Sequence, residues 1–224
     1  MIPLKDDNPS RTVPFVTLLL IGVNLAVFLY ELTLPPAALQ GLIRGFGAVP
    51  SALSLGHLPA SGMVEIPWLT LITSMFLHGG LFHVGGNMLY LWIFGDNVED
   101  AMGHFRFLVF YLLCGITAAL FQIAAMPSSR VPLVGASGAI AGILGAYVLL
   151  YPSARIRALI IFLFIVRVVP IPALFILGLW FVMQVLSAPA SGRSGVAFFA
   201  HIGGFLAGML LIGLFAGGRR RRRA

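Results

Sequence analysis

Ser137, in the run Gly135-Ala136-Ser137-Gly138-Ala139, and His201, in the run His201-Ile202-Gly203-Gly204-Phe205-Leu206-Ala207-Gly208, are the residues of this chain best suited to chemistry. A serine hydroxyl is a weak nucleophile at neutral pH and becomes a good one when a base within about 2.6 to 3.2 Å takes its proton. His201 is the candidate base. Attack on an amide carbonyl also needs donors aimed at the developing oxyanion, each worth on the order of a hundredfold in rate. His83 and Asn87, four residues apart and so on one face of a helix, supply two such donors. The backbone N–H of Ser137, at a helix N-terminus, supplies a third. No carboxylate is placed to complete a triad: Asp96, Glu99 and Asp100 sit a helix length away, and Glu31 and Glu65 lie in or near an outer loop. The residues read as a Ser–His dyad.

These polar groups lie in segments too apolar for a water-soluble globule. With 59% hydrophobic and 9% charged residues, the 224-residue chain cannot solvate its own surface and is expected to be an integral membrane protein. A bilayer core about 30 Å thick takes roughly 20 helical residues to cross. Five runs qualify: Val13 to Leu34, Phe107 to Ala125, Val134 to Tyr151, Ile171 to Ser187 and Val196 to Ala216. A sixth crossing is read from Leu81 to Phe94, after a membrane-dipping segment that begins at Trp68 and is broken by His78-Gly79-Gly80. The expected architecture is all-α, a polytopic bundle of six transmembrane helices.

Whether Ile156 to Val169 also crosses is decided by the distribution of Lys and Arg. With six crossings and a cytoplasmic N-terminus, eleven basic residues fall inside and Arg44, Arg130 and Arg193 outside; a seventh crossing gives six inside and eight outside. Ile156 to Val169 is therefore read as an inner-face or helix-extending segment. This topology places Ser137, His201, His83 and Asn87 near the outer ends of three helices, at one depth. Gly138, Gly142 and Gly145 share one helix face, and Gly204 and Gly208 another, so that the two helices can pack closely and bring imidazole against hydroxyl.

A lone serine in a Gly/Ala-rich membrane helix ordinarily serves packing, and a lone histidine or asparagine there serves interhelical hydrogen bonding as often as function. The coincidence of nucleophile, base and donors at one depth favours function. His57 and His104 read as loop residues, whereas His78 either lines the mouth of the site or marks the helix break. No cofactor or metal is expected. The five-residue spacing of His78 and His83 suits a shared metal with His201 poorly, and neither a His-Glu-x-x-His motif nor paired intramembrane aspartates occur. A transporter would show midplane carboxylates and repeated halves, which are absent.

The motifs resemble those of the rhomboid intramembrane serine proteases. Gly135-Ala136-Ser137-Gly138 is similar to that family's nucleophile motif, His201 with Gly204 and Gly208 to its base motif, and His83 with Asn87 to its oxyanion pair. The resemblance runs from Trp68 to Ala216 and includes Gly95-Asp96-Asn97-Val98-Glu99-Asp100. It implies a six-helix rhomboid-like bundle that cleaves transmembrane segments of other membrane proteins near the outer face, with Ser137 as nucleophile, His201 as general base, and Gly135, Gly138 and His78 as accessory residues. It further implies that water reaches the site through loops above it and that a substrate helix enters sideways between crossings. Two positions depart from the pattern: Leu69 follows Trp68 where many members have arginine, and Ala141 stands four after the serine where some have an aromatic ring stacked on the histidine. His201 must then be held by other packing.

The layout expected is a cytoplasmic segment at residues 1–12, a membrane protease domain at 13–216, and a basic cytoplasmic tail at 217–224. Within the domain fall an outer loop at 35–79 and a loop at 188–195 that serves as a lid or as an ordinary connector. The Arg219 to Arg223 cluster carries most of the +7 net charge and, beside a membrane helix, points to anionic lipid rather than nucleic acid. Cys114 alone permits no internal disulfide. The compact chain suggests a bacterial inner membrane, with both termini cytoplasmic and the site opening outward.

Overall fold

The computed structural model describes residues 2–55, 67–162, 165–191 and 195–216. After a short strand β1 (Ile2–Asp6) the chain forms helix α1 (Phe15–Thr33), then the shorter α2 (Pro36–Phe46), α3 (Pro50–Leu55) and α4 (Thr70–Thr73), the last between single 3-10 turns at Pro67–Leu69 and Ser74–Phe76. The bundle continues with α5 (Leu81–Met102), α6 (His104–Ala125) and α7 (Ser137–Leu150). A hairpin of β2 (Arg155–Phe162) and β3 (Ile165–Pro172) leads to α8 (Ala173–Ser187) and α9 (Phe198–Phe215).

The centre of the bundle is α7, whose residues from Gly138 to Val148 are all buried. A helix apolar on every side is stable where neighbours enclose it. Here α5, α6 and α9 do so, and among the described elements the α7–α9 contact is the most extensive. Its basis is the glycine faces: a Cβ on Gly204 would overlap the carbonyl of Gly138, and one on Gly208 the carbonyl of Gly142. The outward faces of α1, α8 and α9 carry Leu19, Leu29, Leu32, Phe175, Leu186, Leu210 and Leu214 exposed, the apolar surface a bilayer solvates. The chain is an integral membrane protein.

Among the described residues, four helices are long and apolar enough to cross a membrane by length and composition: Phe15–Thr33, His104–Ala125, Ala173–Ala190 and Phe198–Phe215. The expected count of six is not fixed by these criteria, because α5 and α7 do not meet them. The 14 residues of α7 span about 21 Å, less than the roughly 30 Å hydrocarbon core. A helix this short, enclosed by longer ones, has an end sunk below the rim of the bundle.

The expectation of an all-α fold is corrected by a three-stranded antiparallel sheet of order β1-β2-β3. The segment Ile156 to Val169 does not extend a helix but forms most of this hairpin. The physical reason is visible along β2: Arg155 and Arg157 are exposed while Ile156 and Ala158 are buried, a period of two. Isoleucine and valine dominate β3, isoleucine recurs in β2, and Pro170, unable to donate in a helix or a central strand, sits on the edge strand β3. The N-terminal segment is likewise not free. Asp6 accepts hydrogen bonds from the Tyr147 hydroxyl (2.6 Å) and the Asn97 side-chain nitrogen (3.1 Å), and Asn8 donates to Asn97. Burial pushes the Asp6 carboxyl up to about 6.

Glu99 of α5 closes the same end. Its carboxylate accepts from the backbone N–H of Val16 (2.9 Å) and Thr17 (2.8 Å), the Thr17 hydroxyl (2.7 Å) and His104 Nδ1 (2.5 Å). The unpaired amides and positive dipole end of α1 are thereby satisfied. His104, expected in a loop, instead begins α6. His57, Glu65, Arg193 and the basic tail at 217–224 lie outside the described residues.

Candidate active site

Helices α5, α7 and α9 run in one direction, with α6 and α8 returning between them, so their N-termini gather at the end of the bundle opposite the sheet. Ser137 is the first residue of α7, His201 the fourth of α9, and His83 and Asn87 the third and seventh of α5. The short α7 leaves its N-terminus recessed. Above it lies a cavity of about 640 Å³, lined by Phe82, His83, Gly86, Asn87 and Tyr90 of α5, Ser137, Ile140, Ala141 and Leu144 of α7, Trp180 of α8 and His201 of α9. Ser129 and Val131 to Val134, from the α6–α7 connection, form another wall with Gln122 of α6.

His201 Nε2 lies 2.9 Å from Ser137 Oγ. This hydrogen bond is the contact on which the sequence reading depended, and the glycine faces make it possible by letting α7 and α9 meet backbone to backbone. The other ring nitrogen, Nδ1, lies 2.8 Å from Gln184 Oε1 of α8. Trp180 packs on the imidazole, with ring centroids 5.8 Å apart and planes tilted 36°. Phe198 adds an edge contact at 6.4 Å.

Of the two α5 residues, His83 accepts at Nδ1 from the backbone N–H of Gly79 (3.3 Å), which leaves its proton on Nε2. That nitrogen faces Gly135: a Cβ there would stand 2.6 Å from His83 Nε2, and Gly135 has φ +116°, so both space and backbone demand glycine. Gly135 N–H also donates to the Ser74 carbonyl (2.8 Å), fixing the turn into α7. Asn87 is buried, with its side-chain nitrogen 3.0 Å from His78 Nε2. His78 is itself buried, its ring edge-on to His83 at 5.1 Å, and is not a cavity-lining residue. It backs the pair His83 and Asn87 rather than lining the mouth. Gly138 does not face the cavity either, since it packs where a Cβ would meet Ala118 at 2.7 Å.

Sequence reasoning missed three polar residues around this site. Glu31, expected in or near a loop, is buried in the last turn of α1 and accepts from the backbone N–H of His78 (3.1 Å). Gln122 accepts from the backbone N–H of Ala200 (3.1 Å) and so fixes the turn that carries His201. Gln184 touches the histidine directly. The signal available was the same for all three: a polar side chain in an apolar helix has no water to satisfy it and must find a partner. Of the loop at 188–195, Ala188–Ala190 form a 3-10 turn and the Ser191 hydroxyl accepts from the N–H of Phe198 (3.1 Å), while 192–194 lie outside the described residues.

The fold and site define a polytopic membrane protein with a serine and a histidine hydrogen-bonded inside a helical bundle. It belongs to the rhomboid family: the Rhomboid domain matches residues 66–217. The chain is 34% identical over 207 residues to "Rhomboid protease GluP" of Bacillus subtilis, covering 92% of this chain and 36% of that one. It is 32% identical over 153 residues to "Rhomboid protein 1, mitochondrial" of Saccharomyces cerevisiae (63% and 40%), and 33% identical over 149 residues to "Rhomboid protease AarA" of Providencia stuartii (60% and 50%). The matched regions thus make up half or less of each relative's length.

Proposed function

We propose that this protein is an intramembrane serine endopeptidase that cuts transmembrane segments of other membrane proteins near the outer face, using Ser137 and His201 as a dyad. The observation that carries the reading is the 2.9 Å contact between His201 Nε2 and Ser137 Oγ at the floor of a cavity within an apolar bundle. Ser137 Oγ attacks the scissile carbonyl carbon, forming a C–O bond as its proton passes to His201 Nε2. The carbonyl π electrons become an oxyanion facing His83 Nε2–H, the Asn87 side-chain N–H and the Ser137 backbone N–H. His201 then gives its proton to the leaving nitrogen, the C–N bond breaks, and an acyl ester remains on Ser137. Water, deprotonated by His201, hydrolyses that ester and restores the hydroxyl.

The cavity is flanked by α5 and α8, so a substrate helix unwound at its end reaches Ser137 from the lipid side. Two similar proteins are named as rhomboid proteases, which supports the reaction class. The Lys/Arg distribution supports an orientation with both termini in the cytoplasm and the cavity facing outward; the proposed setting is a bacterial inner membrane, with lipid as the surrounding partner and no nucleic acid involved. The test is cleavage of a single-span substrate in proteoliposomes. Ser137→Ala and His201→Ala are each expected to lower the rate about a thousandfold or more while the protein stays folded; cleavage by the serine variant at the wild-type rate would refute the assignment.

A further inference from the structure

An imidazole acts as a base toward a hydroxyl only when its facing nitrogen carries a lone pair, so the other nitrogen must hold the proton. Nothing in the Ser137–His201 contact selects that tautomer: a histidine protonated on Nε2 fits the same distance and donates to the serine oxygen instead. The selection has to come from what Nδ1 meets. In this molecule Nδ1 meets the Gln184 side chain, 2.8 Å away on α8.

An amide could present either end, as acceptor or as donor. Gln184 has its orientation fixed by its own helix: its side-chain nitrogen donates to the carbonyl of Trp180, one turn back, at 3.2 Å. The oxygen is therefore the end left for the histidine. Gln184 is buried, within a helix whose outward face is apolar. We infer that Gln184 is a positioning residue for the general base, its oxygen holding the proton of His201 on Nδ1 so that Nε2 can accept the proton of Ser137.

Trp180 completes the device. Being four residues before Gln184, it lies on the same face of α8 and covers the imidazole ring. One helix face thus fixes the ring plane, through the indole, and the proton position, through the amide. A carboxylate would fix the tautomer equally well but would add a charge in an apolar bundle at a high desolvation cost. The neutral amide provides orientation without that charge. The groups facing His201 are Ser137 of α7, Trp180 and Gln184 of α8 and Phe198 of its own helix; His83 and Tyr90 of α5 are the other titratable side chains lining the cavity, and Gln122 of α6 supports the turn behind it.

The inference rests on the proposed proteolytic reading, and its test separates the two. In the wild-type protein in detergent micelles, with ring nitrogens labelled with ¹⁵N, His201 is expected to show a protonated Nδ1 and an unprotonated Nε2 at neutral pH; the opposite tautomer overturns the inference whether or not the protein cleaves anything. In proteoliposomes, Gln184→Leu is expected to reduce kcat by about ten- to a hundredfold with KM unchanged, counted per molecule able to react with a serine-directed probe. Gln184→Glu keeps the acceptor oxygen, so it is expected to recover most of that loss while moving the acidic limb of the pH–rate profile to higher pH, because an anion beside Nδ1 stabilises the imidazolium. A leucine variant whose kcat per reactive molecule stays within twofold of wild type, or a glutamate variant as slow as leucine with an unmoved pH profile, overturns the inference. Wild-type protein that neither cleaves nor reacts with the probe refutes the function itself.

Discussion

The two ends of this bundle solve the problem of burying polar groups in opposite ways. At the sheet end the groups include carboxylates, and they are closed off: Asp6 is held by Tyr147 and Asn97, and Glu99 by two backbone amides, a threonine and His104. At the other end serine, histidine, asparagine and glutamine side chains line a cavity of about 640 Å³, and the carboxylate there, Glu31, lies behind it against the His78 amide. The first end spends its acceptors on the N-terminus of α1 and on β1, leaving a sealed joint. The second sets hydrogen-bond partners behind the reactive atoms, Gly79 behind His83 and Gln184 behind His201, and turns the front of His83 to the cavity and that of His201 to Ser137. Full satisfaction makes a clamp; satisfaction from one side only makes a site.

The largest way to break that contrast is to remove a front-facing donor. His83→Ala and Asn87→Ala are each expected to lower kcat about a hundredfold with little change in KM, as for groups that act on the transition state. Steady-state kinetics in proteoliposomes checks this, and a rise in KM alone would make them substrate-binding residues. A smaller effect follows from separating the helices that carry the dyad. Gly208→Leu places atoms where the Gly142 carbonyl lies, and overpacking of this kind costs about 1 to 3 kcal/mol. Its thermal midpoint in detergent should fall, and probe reactivity should drop because α7 and α9 can no longer meet.

The smallest effect belongs to the closed end. Because the buried Asp6 carboxyl titrates at about 6, well above its ordinary value of 3.8, the folded protein keeps a proton there that the unfolded chain has released. The stabilisation from this group is complete below about pH 4 and is lost as the pH rises through about 6. Thermal midpoints measured from pH 4 to 7 should therefore fall less steeply for Asp6→Asn than for wild type, while cleavage per folded molecule stays unchanged. Equal slopes would show that the strand is held without this carboxyl.

Ser137, His201, His83 and Asn87 were legible in the sequence because a polar side chain stands out in an apolar run and the positive-inside count put all four at one depth. The glycine faces were legible for a similar reason, since small residues at helical spacing have few uses except close approach. The hairpin was not. Ile156 to Val169 is apolar enough to pass as helix or interface, and its alternation is clear only at Arg155 to Ala158, before isoleucines fill both faces. Glu31, Gln122 and Gln184 were hidden differently: a residue near a helix end or alone in a span shows that it needs a partner but not which one, and the partner here comes from a distant segment in each case, the turn at His78 for Glu31 and α9 for Gln122 and Gln184. Ala141 was the useful departure, because the absent aromatic ring implied other packing on His201, and Trp180 of α8 supplies a ring against it.

The central claim is that the His201–Ser137 contact makes this serine a nucleophile. Reaction with a fluorophosphonate in native membranes, followed by peptide mass mapping, tests it most directly. The expected result is a single adduct on Ser137, lost in Ser137→Ala and reduced to background in His201→Ala. Equal labelling of Ser137 in wild type and His201→Ala, or an adduct on another residue, would contradict it.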